Sequence, residues 1–468
     1  MNLSKKYTSI AFSALFMLSS VVSFPVEAAK GFSYKVTNKN KKTAILTKIN
    51  TNKPLELKDP LDGYSIIEIA DKASKYKLKG VTKITPEVID MVTKLKNFHD
   101  GKPVNPTLVG NFLSSRRSHL YYGPMITSVD LPNCLTVGTE GLAHCRKIEN
   151  VNLPKCVTLQ KNSLLGCTGI TKLNLPQCMI INNPFGADFE YNYGGTVYEY
   201  IDNATFQYPL EELSAPNCTE IAEKSFWGFA KLNKVNLQSC EKIGDGAFRG
   251  CKELKNIDLP NCTEIARNYS YWYWSGAFGE CEKLESINIP NLKFLGHRCF
   301  KDCKALKKID LSKCKEIEQS CCENCTSLTT ALLDSATEIE NYAFKKCNSL
   351  ENVRMPNVVS IGEGAFYGTA LKRVDLPNCN SIGYVAFEGC KKLTIFNSPN
   401  LTSIKDSAFE GCENLEEVKL PKCTMIGKNA FKNCHKLKKI TIPKSCKLEE
   451  NSFPYDLVID QKLKIVRI

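Results

Sequence analysis

The chain repeats itself every 22 residues. LPNC stands at 131, LPKC at 153, LPQC at 175, APNC at 215, LPNC at 259, LPNC at 376 and LPKC at 420. Looser copies (LQSC at 237, IPNL at 289, LSKC at 311, LDSA at 333, MPNV at 355, SPNL at 398, IPKS at 442) fill the gaps. The step departs from 22 only between 178 and 218, between 262 and 292, and between 358 and 379, where one residue is missing. A period of this length implies stacked coils, each too small to bury its own core and each completed by its neighbours.

One unit shows the physical logic. In Leu254-x-x-Ile257-x-Leu259-x-x-Cys262-x-x-Ile265, Ile257 and Leu259 alternate and face the same side of a short strand, and Pro260 ends it because it has no ladder donor. Eleven residues out of phase comes Gly246-Ala247-Phe248-x-x-Cys251, which recurs as Ala343-Phe344-x-x-Cys347, Ala386-Phe387-x-x-Cys390, Ala408-Phe409-x-x-Cys412 and Ala430-Phe431-x-x-Cys434. The pattern resembles the BspA-like class of leucine-rich repeats over residues 119 to 450. The resemblance implies an α/β, β-rich repeat: a leucine-rich-repeat solenoid of about fourteen 22-residue coils. It also implies an exported or surface protein that works by adhesion, with no fixed functional residues. Heavy use of cysteine at the strand end departs from the commonest form of that pattern.

The chain has 23 cysteines, most of them in two registers 11 residues apart within a coil. Each register should run as a ladder of buried, reduced thiols. Stacked coils bring equivalent residues to about 4.8 Å, but parallel Cβ directions suit packing better than bridging. The densest group is Cys299, Cys303, Cys321, Cys322 and Cys325. Its C-x-x-C falls in register with the repeat, Cys322 standing in a phenylalanine slot, so a metal site is not expected. A local disulfide stays open at this point.

The N-terminus MNLSKKYTSIAFSALFMLSSVVSFPVEAAKG has a basic start, an apolar stretch and small residues at Val26-Glu27-Ala28. It reads as a signal peptide over residues 1–28 and predicts a secreted or cell-surface protein with no membrane span in the mature chain. Residues 29–118 hold 18 Lys and Arg against 8 Asp and Glu, most of the chain's net +13. They read as a basic cap region: a hairpin over 32–49, a degenerate coil near 61–74, and a helix opened by Thr85-Pro86-Glu87 with Val88, Val92 and Leu95 on its apolar stripe. Such a region can hold an anionic envelope polymer. The solenoid follows over 119–450, and residues 451–468 form a C-terminal cap with a last strand near LKIVRI.

No nucleic-acid-binding pattern, phosphate loop, metal-ligand spacing or nucleophile motif is present, and no cofactor is expected. His99, His119, His144, His297 and His435 are scattered. The polar column Asp130, Asn152, Asn174, Ser214, Asn236, Asp258, Asn288, Asp310 should project outward from the strands. A solvated face is its simplest reading.

The two long interruptions are rich in aromatic residues. The first, about 182–205, contains Phe185, Phe189, Tyr191, Tyr193, Tyr198 and Tyr200; the second, 267–275, contains Tyr269, Tyr271, Trp272, Tyr273 and Trp274. Both are expected to leave the coil at one point, after the second strand and before the alanine–phenylalanine pair, and so to share a face. Their rings serve either as a satellite core or as anchors for a partner. The function expected is binding, most simply adhesion to a protein or glycan ligand on another cell or matrix. The alternatives are an envelope-associated structural protein held by its basic region and an exported enzyme.

Overall fold

The computed structural model describes residues 126–186, 208–266, 276–454 and 463–467, and the backbone of five strands at 25–27, 32–38, 43–49, 55–58 and 65–69. Most coils contribute a three-residue strand ending just before the proline motif and a two-residue strand after it, as in Asn256–Asp258 and Glu264–Ile265; the first strand is longer in Ile126–Asp130 and Lys439–Ile442. The rest of the coil is turns, and no helix occurs among the described residues. Equivalent strands of successive coils pair in parallel, in register, 22 residues apart in the uninterrupted stretches. The expected hairpin is present as Phe32–Asn38 antiparallel to Thr43–Ile49. Ser65–Ile69 joins the two-residue ladder beside Thr136–Val137, as a degenerate coil would. The helix expected near residue 85 lies outside the described residues.

Three stacks fill the interior. The inward-facing leucine, isoleucine and valine residues of both strands are mostly buried, while outward-facing Ile180 and Ile395 are exposed. On the turn side the phenylalanines form a spine: Phe226, Phe248, Phe278 and Phe300 stack nearly parallel at 5.4–5.8 Å, and the stack resumes as Phe344, Phe366, Phe387, Phe409, Phe431 and Phe453. Cys322 occupies the slot between the two runs: its N–H donates to Ala343 O, as the Phe300 N–H does to Cys321 O. Phe453 ends the spine, and Lys464–Arg467 pairs in parallel with Lys439–Ile442.

All 23 cysteines are buried as thiols. Their positions explain why cysteine suits the repeat. In the strand-end register the thiol donates to the carbonyl two residues on, as from Cys134 to Thr136 O at 3.4 Å and from Cys240 to Lys242 O at 3.3 Å. In the other register it donates to the spine residue of the preceding coil, as from Cys303 to Phe278 O at 3.1 Å and from Cys434 to Phe409 O at 3.1 Å. A small apolar group with one weak donor meets both needs. Burial raises most of these thiols, Cys390 to about 11 and Cys167 to about 12, where they are poor nucleophiles; Cys325 departs from this, its thiol, despite burial, held below the ordinary value by hydrogen bonds from Cys322 and Cys347.

Both strand ladders lapse together at one step, between the coil containing Ser286–Asn288 and Phe294–Leu295 and the coil containing Lys308–Asp310 and Glu316–Ile317. The turn side stays bonded across that step, through Arg298 N to Gln319 O and Asp302 N to Glu323 O. This junction divides the array into an interrupted N-terminal part and a regular C-terminal part.

Candidate partner-binding face

The site is built from the turns of four successive coils. In the first, Pro184 takes the alanine slot, since Leu164 N donates to Pro184 O at 2.8 Å just as Phe226 N donates to Ala247 O. Phe185 therefore sits in the spine slot and is buried. This corrects two expectations. The first interruption leaves after the alanine–phenylalanine pair, not before it, and Phe185 belongs to the core. The spacing concealed this because proline replaced the alanine that marks the pair elsewhere.

The chain returns to the coil at Tyr208, which is buried. Its ring stacks on Phe229 at 4.9 Å and meets Phe185 edge-on at 5.0 Å. Its hydroxyl accepts from Gly166 N at 2.7 Å and donates to Phe185 O at 3.2 Å. In regular coils a main-chain carbonyl of the next coil fills that acceptor role, as Arg249 O does for Gly228 N. One side chain thus seals the core where the main chain departs. The second interruption leaves after Ala266 and returns at Gly276, whose N–H donates to Asp245 Oδ1 at 2.7 Å. Burial raises the Asp245 carboxyl above its ordinary value, with the Gly276 hydrogen bond acting against that shift.

The two roots lie on coils three strand steps apart, about 15 Å along the array at one strand spacing per coil, but the first leaves after the spine residue and the second before it, so the expected common exit point is absent. Between them lies the chain's third tryptophan. Trp227 follows Phe226 and lies across Gly246 of the next coil; a Cβ there would stand 2.7 Å from Trp227 Cε3, and φ is +62°. The glycine is needed on both counts. The Arg249 guanidinium sits 5.3 Å from the Trp227 ring centre and pairs with Glu280. Arg249 is 6% exposed, while the Glu280 side chain is 43% exposed. All three tryptophans of the chain, 227, 272 and 274, thus belong to one stretch of the array. Trp227 and Arg249 were missed in the sequence because their partners are 19 to 31 residues away, in other coils.

The residues expected to touch a partner, Tyr191, Tyr193, Tyr198, Tyr200, Tyr269, Tyr271, Trp272, Tyr273 and Trp274, lie outside the described residues. The polar column does project outward, and its members bond one another along the array: Asn152 donates to Asp130 at 2.8 Å and Asn288 to Asp258 at 2.7 Å; at the equivalent position of later coils Asn397 donates to Asp375 at 2.8 Å. Among the described residues no group of His, Cys, Asp and Glu is arranged to hold a metal, and no helix is long and apolar enough to cross a membrane.

Comparison with known proteins gives the same architecture. Residues 109–186, 196–275, 273–357 and 337–458 match the family described as BspA type leucine rich repeat region, 6 copies. No curated protein matches the chain. Among solved structures, a leucine-rich repeat protein from Bacteroides ovatus is similar over 94% of this chain and 99% of its own, at 20% identity and a TM-score of 0.59, which establishes the shared fold. A leucine rich cell surface protein from Faecalibacterium prausnitzii matches over 91% of this chain and 95% of its own, at 18% identity and a TM-score of 0.33. The pneumococcal vaccine antigen PcpA matches over 93% and 87%, at 15% and 0.35.

Proposed function

We propose, for a chain that belongs to the BspA-type leucine-rich-repeat family, that it is an exported, non-enzymatic binding scaffold displayed at the cell surface, and that the face around residues 187–207, 227 and 267–275 carries its adhesive contact. The observation that supports this most is the placing of the interruptions. The array departs from its period at length only twice, and both departures start within three coils of each other around Trp227. Long insertions in a repeat array gather on binding faces, and tyrosine and tryptophan dominate interface anchors.

The test replaces Tyr271, Trp272 and Trp274 together with alanine and screens native and variant chains on protein and glycan arrays. The expected result is a loss of about 30-fold in affinity for the captured ligand, a hot-spot effect of about 2 kcal/mol, with the melting temperature kept. A large drop in melting temperature with unchanged binding per folded molecule assigns these rings to the core instead. A second role is supported by the charge of residues 29–118: attachment to an anionic envelope polymer, which falls off as salt rises. If the array without that region sediments with envelopes as well as the whole chain does, this role is wrong.

A further inference from the structure

The lapsed step has the make-up of a joint. At every other step between Leu135 and Lys447, the residue after the strand-end slot donates its N–H one coil back, from Val157 N to Leu135 O at 2.7 Å through to Lys447 N to Thr424 O at 2.9 Å. Among the described residues only Lys315 N, facing Lys293, makes no such bond. Glu318 N also finds no acceptor, although its counterpart one coil on, Glu340 N, donates to Ile317 O at 2.8 Å. The turns across the same step stay tied, Phe300 N to Cys321 O and Asp302 N to Glu323 O, both at 2.8 Å. Inside, Cys314 Sγ reaches over to Leu292 O at 3.5 Å, where other strand-end thiols turn to their own coil. A backbone bonded on one side and unbonded on the other opens on the unbonded side at low cost.

Two side chains face each other across this gap. His297 Nδ1 and Glu318 Oε2 stand 3.4 Å apart but are not aligned as a hydrogen bond, and Nδ1 is buried without a partner. An ionised carboxylate and an unprotonated imidazole nitrogen are both acceptors; one proton makes them donor and acceptor. The surroundings put that proton on the carboxyl. Burial, with Glu316 and Glu340 nearby, raises Glu318 to about 7. Burial and Arg298 hold His297 below its ordinary value, against the opposite pull of Glu340 and Asp245.

We infer that His297 and Glu318 form a proton-operated latch: the protonated carboxyl donates to Nδ1 and ties the strand side across the lapsed step, and loss of the proton lets the step open about its bonded turns. The titrating group is Glu318. Its value in the folded chain lies above its ordinary 4.5, so the tie is complete below about 4.5 and is lost as pH rises through about 7. The latch lies between the half that carries the candidate face and the regular half, and it sets how stiffly one is held on the other. It does not depend on what that face binds.

Hydrogen exchange of the whole chain, read by mass spectrometry at pH 6 and pH 8.5 and corrected for the intrinsic rate at each pH, tests the latch. Protection of residues 315–318 should fall about tenfold between the two, the ratio expected for a carboxyl that titrates at about 7 when closed and about 4.5 when open. Protection of the intact rung at residues 337–340 should stay constant. Glu318→Gln replaces the proton with a permanent amide donor and should keep the pH 6 protection at both pH values. His297→Phe keeps a ring in place, removes the acceptor and should show the low protection at both.

Equal protection of residues 315–318 in the native chain at pH 6 and pH 8.5 overturns the latch. So does a fall that persists in Glu318→Gln, which assigns the titration to another group. A fall of the same size at residues 337–340 overturns it as well, because the whole array is then loosening. These three comparisons decide the matter even if His297→Phe fails to fold.

Discussion

The coils on either side of the lapsed ladders are made from one repeat and put it to different uses. Beyond the junction, from Phe344 to Phe453, the spine is unbroken and the only change of step is one missing residue. That deletion falls where Thr369 takes the thiol slot, its hydroxyl 3.2 Å from Cys390 Sγ. Before the junction the period breaks twice, and each break is repaired by a side chain doing main-chain work: the Tyr208 hydroxyl for a missing carbonyl, the Asp245 carboxylate for Gly276 N. A coil can therefore release a long loop as long as the hydrogen bonds to its neighbours are replaced. The regular half is scaffold, and the half that bears the repairs carries the candidate face.

Three measurements would break or sharpen that contrast. The largest effect is expected from Phe387→Ala in the regular half. Its ring touches Phe366, Phe409 and Phe396 and is wholly buried, so truncation should cost about 3–5 kcal/mol. Hydrogen exchange should show the loss concentrated in neighbouring coils, because only adjacent repeats share the core. A loss spread evenly over the array would contradict nearest-neighbour stacking.

Tyr208→Phe in the interrupted half keeps the ring and removes only the hydroxyl. Gly166 N then loses its buried acceptor, at a cost of about 1–3 kcal/mol. If the variant melts with the native chain, the hydroxyl is not the repair that closes the first interruption.

The smallest effect belongs to the junction. Burial, with Glu316 and Glu340 nearby, raises the Glu318 carboxyl to about 7. His297 lies across the lapsed step, its Nδ1 3.4 Å from Glu318 Oε2, and burial and Arg298 hold it below its ordinary value. A carboxyl raised on folding favours the folded state while protonated, and that contribution is lost as pH rises from about 4.5 to about 7. Glu318→Gln should therefore stabilise the chain at pH 8, by about 1 kcal/mol after allowance for partial exposure, and change little at pH 4.5. Equal effects at both pH values would remove Glu318 as a source of pH dependence.

The repeat pitch, both thiol registers and the strand alternation were legible in the sequence, because a contact between neighbouring coils recurs as a fixed spacing of 22. What could not be read were features made once. Pro184 hides the point where the first interruption leaves, and with it the core position of Phe185. The Gly246 cleft under Trp227 and the Arg249–Glu280 pair join residues at separations of 19 and 31, which match no multiple of the 22-residue period. Periodicity makes the scaffold visible and leaves the unique contacts of the site to the structure.

The 23 sheltered thiols impose a schedule on the molecule. Folded, they are out of reach of oxidants. Unfolded, each is an exposed thiol able to pair with any other through exchange. In an oxidising compartment the chain must therefore wind up faster than its sulfurs couple. Coil-by-coil growth favours the chain in this race, because each new turn needs only the one before it and closes over its own cysteines as it settles.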